Sequence, residues 1–307
     1  MPSQPHRIGL IGLDTSHVAA FTKLLNDPEA PHHVPGGKVV AGYPGGTPDW
    51  DKSAGRVDGF TAQLGDEFGV EILDSPEAVA ERVDLVFITS VDGRSHRELL
   101  DRVLSAGKPV FIDKPFAATV EDAEAMVAAA EAQGVPLMAC SSLRYAEPFE
   151  RALADDSLGA ITGIDVYGPM ALEPALPGLL WYGCHGIEMM VAAMGAGCAA
   201  VRATVTEGAD VHVMRWSDGR IASYRGRRDG GKGFGATIHR AEGAQQIDAS
   251  GADKPYYAGL LEAIMRSLPE GRSDVPAEQM IEVVRVMLAG NAARERDETV
   301  SLTGALA

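Results

Sequence analysis

The sequence predicts an α/β protein with two domains, a doubly wound parallel sheet followed by an α/β domain on a large open, mainly antiparallel sheet. Two observations support this prediction. In the first 140 residues short apolar runs alternate with helical patterns, which is typical of right-handed βαβ units and a parallel sheet. After Tyr145 several strand-like segments follow one another, and Asp218-Gly219 supplies a hairpin signal between two of them.

In the first half, each predicted strand is a short apolar run and each predicted helix has a period near 3.6 residues. Strands are predicted at residues 8–11, 39–41, 71–73, 85–88, 110–112 and 137–139. Helices are predicted at residues 17–26, 59–68, 75–82, 95–106 and 119–133. The segment 44–55 is rich in Gly and Pro and is predicted to be a loop.

In the second half, period-2 alternation predicts strands and two long helical patterns end the chain. Strands are predicted at residues 161–167, 201–205, 211–215, 221–225 and 237–238, and helices at 148–155, 185–194, 256–267 and 277–294. We expect domains at residues 1–118 and 119–307, with the boundary inside 115–145. The final helix is a candidate to pack back on the first domain.

Composition excludes several classes of function. A formal charge of −16 and a pI near 4.9 argue against nucleic-acid and anionic-membrane partners. No apolar run reaches the ~18 residues of a membrane span, and the first six residues lack the apolar core of a signal peptide. Cys140, Cys184 and Cys198 lie among apolar or small residues, so we expect reduced, buried thiols and a cytoplasmic location.

The segment Phe111-Ile112-Asp113-Lys114-Pro115-Phe116 places a lysine directly after a predicted buried strand. Ligands of open α/β sheets bind outside the carboxyl ends of the strands, so Lys114 is a candidate catalytic residue. Pro115 restricts the backbone of Lys114 and helps to direct its ammonium group. A partly desolvated lysine loses its proton more easily and can act as an acid or base. The alternative is a surface lysine before a turn proline.

The region from Gly107 to Ala117, the helix after it and residues 134–138 resemble the Gfo/Idh/MocA oxidoreductases. The hallmark of that family is Glu-Lys-Pro, and the acid here is Asp113. The resemblance extends almost from end to end. It implies a Rossmann domain, a second α/β domain that pairs through its open sheet into a homodimer or homotetramer, NAD or NADP as cofactor, and a small sugar-like or cyclitol substrate.

The phosphate-binding loop of a Rossmann domain reads G-x-G-x-x-G, and the matching residues here are Gly12-Leu13-Asp14-Thr15-Ser16-His17. Asp14 replaces the second glycine, where a carboxylate repels pyrophosphate unless it turns away to cap the helix. Thr15 and Ser16 can donate to an anion, and capping by Asp14 or Thr15 is the alternative role. The resemblance also implies cofactor contacts for Ser90 and Asp113.

Strand 2 of the predicted sheet ends without the acid that binds the ribose hydroxyls of NAD. Lys52 and Arg56 in the following loop are candidates for a 2′-phosphate, and solvated loop charges are the alternative. The sequence therefore leaves NAD, NADP and neither cofactor open.

The resemblance implies a substrate side as well. Ser142-Leu143-Arg144-Tyr145 matches the family's Arg-aromatic element, which puts Arg144 at the cofactor and Tyr145 in the substrate pocket. His185 falls on the family's catalytic histidine and would move a proton of a substrate hydroxyl together with Lys114. Trp181 stands where the family has an Asp, and Trp181 and His17 complete the expected pocket.

Three functions follow from these residues. The leading one is an NAD(P)-dependent oxidoreductase of a polyhydroxylated small molecule. The second is a lyase or hydrolase on the same fold, for which His17, His185 and Glu188 are candidate ligands of a divalent metal. The third is a non-catalytic ligand-binding protein. The site predicted for the leading function contains no metal.

Overall fold

Two sheets organise residues 4–302, which are the residues that the computed structural model describes. They belong to two units. The first unit comprises the described residues up to Cys140 together with Tyr257–Ala277, and the second comprises Ser141–Tyr256 and the described residues from Glu278 onward. The helix that groups with the first unit is therefore the penultimate one, whereas the final helix groups with the second unit.

The first unit contains a six-stranded parallel sheet of order β3-β2-β1-β4-β5-β6, with the switch between β1 and β4 that marks a Rossmann fold. Its elements are β1 His6–Ile11, α1 Ser16–Asn26, β2 Gly37–Tyr43, α2 Asp51–Phe68, β3 Glu71–Ile72, α3 Pro76–Arg82, β4 Leu85–Ile88, α4 His96–Val103, β5 Val110–Ile112, α5 Val120–Ala132 and β6 Leu137–Ala139.

Side-chain caps explain where the helices of this unit begin. Thr15, Ser75 and Thr119 accept hydrogen bonds from backbone N–H groups in the first turns of α1, α3 and α5. Strands β4 and β5 are buried on both faces, and the rings of Phe87 and Phe111 meet edge to face at 5.4 Å between their centroids. Capped helices and buried strands together fix the carboxyl edge of the sheet.

Helix α2 differs from the sequence prediction, which placed a loop at residues 44–55 and began the helix at Gly59. The N–H groups of Ser53 and Ala54 donate to the carbonyl of Trp50 at 2.8 and 2.9 Å, so the helix begins at Asp51. Gly55 has no neighbour within 4 Å of an added Cβ and continues the helix on an open face. Glycine content alone was therefore a misleading loop signal.

The second unit contains a seven-stranded sheet of order β12-β11-β7-β10-β9-β8-β13. Among the described strands of this second sheet only the pair β7 and β10 is parallel, so the sheet is mainly antiparallel as predicted. Its elements are α6 Glu147–Ala154, β7 Ile161–Pro169, α7 Gly183–Met194, β8 Cys198–Val205, β9 Ala209–Trp216, β10 Ile221–Arg227, β11 Gly235–Arg240, β12 Gly243–Asp248, α9 Ala277–Arg296 and β13 Val300–Ser301. Helix α8, Tyr256–Ser267, groups with the first unit from Tyr257 onward.

Close packing holds the helices of the second unit on one face of this sheet. An added Cβ at Gly186 of α7 would lie 2.3 Å from the ring of Tyr224, and one at Gly290 of α9 would lie 3.2 Å from Nδ1 of His212. His212 is fully buried without a hydrogen-bond partner among the described residues, and burial lowers its pKa to about 4. His212 is therefore a neutral core side chain.

The other face of this sheet carries exposed apolar residues. Tyr167, Val213 and Ile221 are 41%, 43% and 55% exposed, and they lie among polar side chains. Strands β12 and β13 were missed in the sequence because the short segments Gly243–Asp248 and Val300–Ser301 have almost no buried, regularly alternating residues. Within residues 4–302 no helix is both long and apolar enough to cross a membrane.

Candidate functional site

The residue before Lys114 is a buried acid with a defined partner. Asp113 follows β5, its N–H donates to the carbonyl of Ile88 at 2.9 Å, and its carboxylate is hydrogen-bonded to Nδ1 of His17. Burial alone would raise the pKa of Asp113, but the contact with His17 and the nearby charge of Lys114 lower it to about 2. Asp113 is therefore an ionised group at the carboxyl edge of the parallel sheet.

Lys114 lies next to this anion at the end of β5. The side chain is half-buried and the Lys114–Pro115 peptide bond is cis. An added Cβ at Gly93, in the loop after β4, would lie 2.9 Å from the carbonyl oxygen of Pro115. The absence of a side chain at Gly93 lets this loop approach Pro115 and packs the exits of β4 and β5 together.

His17 occupies the third glycine position of the expected phosphate loop and is packed inside the first unit. Its ring lies 4.9 Å from that of Tyr257 and 5.6 Å from that of Phe21. Only 7% of His17 is exposed, and its contact with a substrate stays a prediction. The sequence analysis did not identify Tyr257 as a residue near this site.

The turn between β1 and α1 keeps the backbone of a phosphate loop. Gly12 has a φ of +92°, and an added Cβ would lie 2.5 Å from the backbone nitrogen of Ser90. Thr15 caps α1, which settles the choice between Asp14 and Thr15 as the cap. Leu13 donates its N–H to the carbonyl of Pro44 at 2.7 Å, which ties this turn to the end of β2.

Asp14 turns away from the helix end. Its carboxylate is fully buried and accepts from the Ser53 hydroxyl at 2.6 Å and from the N–H of Val91 at 2.9 Å. Burial raises its pKa, and these hydrogen bonds together with Arg56 oppose that rise. Asp14 thus joins the turn after β1 to helix α2 and to the loop after β4. It does not act as the cap of α1.

A polar cluster that the sequence prediction missed lies beside this turn. Thr47 donates to Asp92 at 2.8 Å, Asp92 accepts from Arg94 at 2.7 Å, and the Arg94 guanidinium lies 6.0 Å from the ring of Trp50. The hydrogen bonds to Arg94 outweigh burial and lower the pKa of Asp92. The segment Asp-Gly-Arg-Ser after β4 places an acid and an arginine two residues apart, and it is the part of the sequence from which this cluster could have been predicted.

Ser90 lies at the exit of β4, and its contact with a cofactor stays a prediction. It is buried, and its hydroxyl lies 3.0 Å from that of Ser95. Its carbonyl lies 2.8 Å from Nε2 of His96, whose other ring nitrogen lies 3.1 Å from the carbonyl of Phe116. His96 therefore packs the loop after β4 against the segment that follows Lys114.

In the second unit, His185 lies in the first turn of α7 and is held by a hydroxyl. The Oγ of Ser141 lies 2.6 Å from Nδ1 of His185. The imidazole meets the rings of Tyr182 and Phe234 at 5.8 and 5.4 Å. Neither Ser141 nor these two aromatic residues was singled out in the sequence.

Arg144 and Glu188 form a buried ion pair next to Ser141. Arg144 donates to Glu188 at 2.8 Å and also to Gln279, while the N–H of Ser141 lies 3.3 Å from Glu188. Burial raises the pKa of Glu188 and the contact with Arg144 opposes the rise. The pair fixes Ser141, so it also orients His185.

The two aromatic residues predicted for the pocket are both buried in the second unit. Tyr145 is 5% exposed and Trp181 is 8% exposed, and the Trp181 ring packs edge to face on Tyr182 at 5.6 Å. Tyr182 is 39% exposed. Contact of Tyr145 and Trp181 with a substrate stays a prediction.

The candidate metal ligands all have protein partners. Glu188 pairs with Arg144, His17 with Asp113 and His185 with Ser141. Across the part of the chain that the structure describes, no three His, Cys, Asp or Glu side chains are grouped so that they could hold a metal ion. The three cysteines are buried thiols.

Comparison with known proteins agrees with this architecture. Residues 51–140 match the Gfo/Idh/MocA family model, described as an oxidoreductase family with an NAD-binding Rossmann fold. A D-apiose dehydrogenase of Paraburkholderia graminis is 41% identical over 101 residues, which are 31% of this chain and 27% of that protein. Inositol 2-dehydrogenase 1 of Saccharopolyspora erythraea is 32% identical over 161 residues, which are 50% of this chain and 42% of that protein.

The chain thus spans less than half the length of the curated relatives that it matches. The similarity in structure covers more of the chain than the similarity in sequence does. The structure of apo scyllo-inositol dehydrogenase from Lactobacillus casei superposes with a TM-score of 0.80 at 18% identity, covering 99% of this chain and 100% of that one. The fold class predicted from the sequence is confirmed, and the sequence match to the Gfo/Idh/MocA oxidoreductase family covers residues 51–140.

Proposed function

We propose that the protein is an NAD(P)-dependent oxidoreductase that acts on a polyhydroxylated small molecule of the sugar or cyclitol type. The observation that carries the proposal is Lys114, which follows the ionised, buried Asp113 at the carboxyl edge of a Rossmann sheet. The names of the relatives support the substrate class, because they are dehydrogenases of apiose and inositol and a reductase of 1,5-anhydro-D-fructose.

The residues at the turn after β1 fit a dinucleotide. Gly12 lets the turn after β1 pack closely against Ser90 at the switch point of the sheet, and α1 begins directly after this turn. The carboxylate of Asp14, which would repel pyrophosphate, is turned inward onto Ser53 and Val91. Residues 12–16 would therefore hold the pyrophosphate, with Ser90 and Asp113 at the neighbouring strand exits.

The chemistry is divided between the cofactor and two side chains of this chain. When bound, the nicotinamide supplies the acceptor or donor of a hydride. Lys114 would hydrogen-bond the substrate oxygen whose carbon exchanges that hydride, because an ammonium next to an anion is a good donor. His185, held at Nδ1 by Ser141, would take or return the hydroxyl proton at Nε2.

A second candidate is a lyase or hydrolase on the same fold. The match to the family model begins at residue 51, after the phosphate loop, and residues 44–48 directly after β2 contain no acid. An enzyme that does not exchange a soluble nicotinamide needs neither a standard phosphate loop nor an acid for the ribose hydroxyls. Measurement of cofactor binding separates the two candidates.

NADH and NADPH should quench the tryptophan fluorescence of the full chain, with saturation by one of them below about 1 mM, the upper end of ordinary substrate ranges. Asp14→Gly should not tighten this binding, because the carboxylate already faces inward. It should instead lower the free energy of unfolding, since it removes two hydrogen bonds to a carboxylate. No saturation by either nucleotide would favour the second candidate, and tighter binding by Asp14→Gly would show that the carboxylate faces the phosphates.

Lys114→Ala and His185→Ala should each lower turnover by about 10²–10⁴-fold with little change in cofactor affinity, because each acts mainly in the transition state. The double variant should lose much less than the product of the two factors. Turnover is measured on a panel of inositol, D-apiose and anhydrofructose, extended to sugar acids and sugar phosphates. Matched controls are Lys108→Ala, a lysine before a proline at the other end of β5, and His239→Ala on β11. Near-normal turnover of both catalytic variants would refute the assignment.

The proposal also includes self-association of the chain through its open sheet. The exposed Tyr167, Val213 and Ile221 lie on the face of the second sheet opposite its helices, and an apolar face of this kind is seldom left bare. We expect a homodimer or homotetramer by light scattering at micromolar concentration. Ile221→Lys should lower the mass toward that of one chain, and a monomeric mass for the unaltered protein would refute this part.

A further inference from the structure

A cavity of about 700 Å³ in the second unit has an unusual charge. It lies at the ends of β7 and β10 and is closed by the glycine-rich segment between β10 and β11. Its size falls within the range of small-molecule sites. Three cationic side chains line it, and the lining contains no Asp or Glu, although the chain as a whole carries a formal charge of −16. The lining cations are Arg227, Arg228 and Lys232.

One of these cations is already neutralised by the protein. Arg228 donates to the buried carboxylate of Asp210 at 2.8 Å, and Asp210 also accepts from Arg294. Arg228 also donates to two backbone carbonyls, those of Thr206 and Glu207. Arg228 therefore serves as a structural support of the wall and has little capacity left for a ligand.

Arg227 and Lys232 have no such partner. The Arg227 guanidinium lies 5.6 Å from the ring of Tyr167 and donates to the carbonyl of Gly233 at 3.3 Å. Its buried Nε has no hydrogen-bond acceptor among the described residues, and no carboxylate of residues 4–302 forms an ion pair with Arg227 or Lys232. A buried guanidinium N–H without an acceptor costs free energy that an anionic ligand would recover.

The glycine segment shapes the position of this guanidinium. An added Cβ at Gly231 would lie 2.8 Å from Nη2 of Arg227 and 2.9 Å from its Cζ. Asp229, the acid in the same segment, accepts from the N–H of Gly231 and closes a local turn outside the cavity lining. The lack of a side chain at Gly231 thus leaves room for the Arg227 guanidinium beside the segment that carries Lys232.

The remaining wall is aromatic and apolar. Tyr182, Phe234 and Tyr256 line the cavity, and the first two are the rings that contact His185. Aromatic faces of this kind stack on the C–H surfaces of sugars. The cavity therefore adjoins the side chain to which we assign proton transfer, within the same unit.

We propose that this cavity binds the anionic group of the substrate through Arg227 and Lys232, so that the substrate is a polyhydroxylated molecule with a carboxylate or phosphate. This inference rests on the proposed function for the polyhydroxylated part. At separations of a few ångströms the two local cations outweigh the net negative charge, which salt screens beyond about 10 Å. Arg227 supplies a planar fork for two oxygens, and Lys232 supplies a mobile point charge.

The test is a calorimetric titration of the full chain with D-glucuronate, D-glucose 6-phosphate and D-glucose at low ionic strength. One of the two anionic probes should bind at least about tenfold more tightly than glucose, as two charge-assisted contacts predict. The two anionic probes distinguish carboxylate from phosphate. Equal affinity for glucose, or no binding of either anion, overturns the proposal.

Variants locate the effect. Arg227→Gln with Lys232→Gln should abolish the preference for the anion, and Gly231→Ala should weaken it several-fold because the methyl group displaces a guanidinium that keeps its charge. Arg225→Gln, an exposed cation on the same strand outside the cavity lining, is the matched control and should leave the affinity unchanged. An anion preference that survives the double substitution contradicts the proposal.

Hydride transfer is assayed on the same probes, so that the two proposals fail separately. Anion binding that depends on Arg227 and Lys232 without any oxidation would support the cavity and reject the oxidoreductase. Oxidation of neutral sugars with no preference for anions would support the oxidoreductase and reject this cavity as the anion site.

Discussion

The buried carboxylate of Asp113 is the constraint on which the first unit's site depends. An ionised acid inside a protein is stable only when hydrogen bonds and opposite charges compensate for lost water, and His17 and Lys114 supply them here. Because the pKa of Asp113 is lower in the folded chain than in the unfolded one, its contribution to stability is present above the ordinary pKa of 3.8 and is lost as the pH falls through about 2. Lys114 follows this charge directly in the chain, at the carboxyl edge of the sheet.

In the second unit, a compensated buried charge likewise lies next to the candidate catalytic residue, His185. The ion pair between Arg144 and Glu188 is buried, and Ser141 contacts both Glu188 and His185. A proton-transfer residue needs a fixed direction, and this chain of contacts provides it. Removal of Arg144 would leave an uncompensated buried carboxylate next to Ser141, and Ser141 is the residue that contacts His185.

The amino-acid pattern predicted the parallel sheet, the open sheet and the position of Lys114, because each depends on local periodicity and on the rule that parallel strands end at one edge. It did not predict how Asp14 is used. Its spacing suggested a cap or a repulsive neighbour of phosphate, whereas Ser53 and Val91, which bind it, come from α2 and from the loop after β4. Arg227, Lys232 and Phe234 were missed for the same reason, since a cavity formed by strand ends and a glycine segment has no fixed spacing in sequence. The catalytic roles of Lys114 and His185 stay predictions.

The most direct test of the central claim is the titration of Asp113 itself. The carboxyl carbons of aspartate are labelled with ¹³C, and the Asp113 resonance is assigned by its absence in Asp113→Asn. This interpretation predicts that the resonance stays that of a carboxylate as the pH falls below 3.8, with a midpoint near 2 or ionisation down to acid unfolding. A midpoint at or above 3.8 would mean that burial outweighs His17 and Lys114, and it would contradict an anion as the basis of the site.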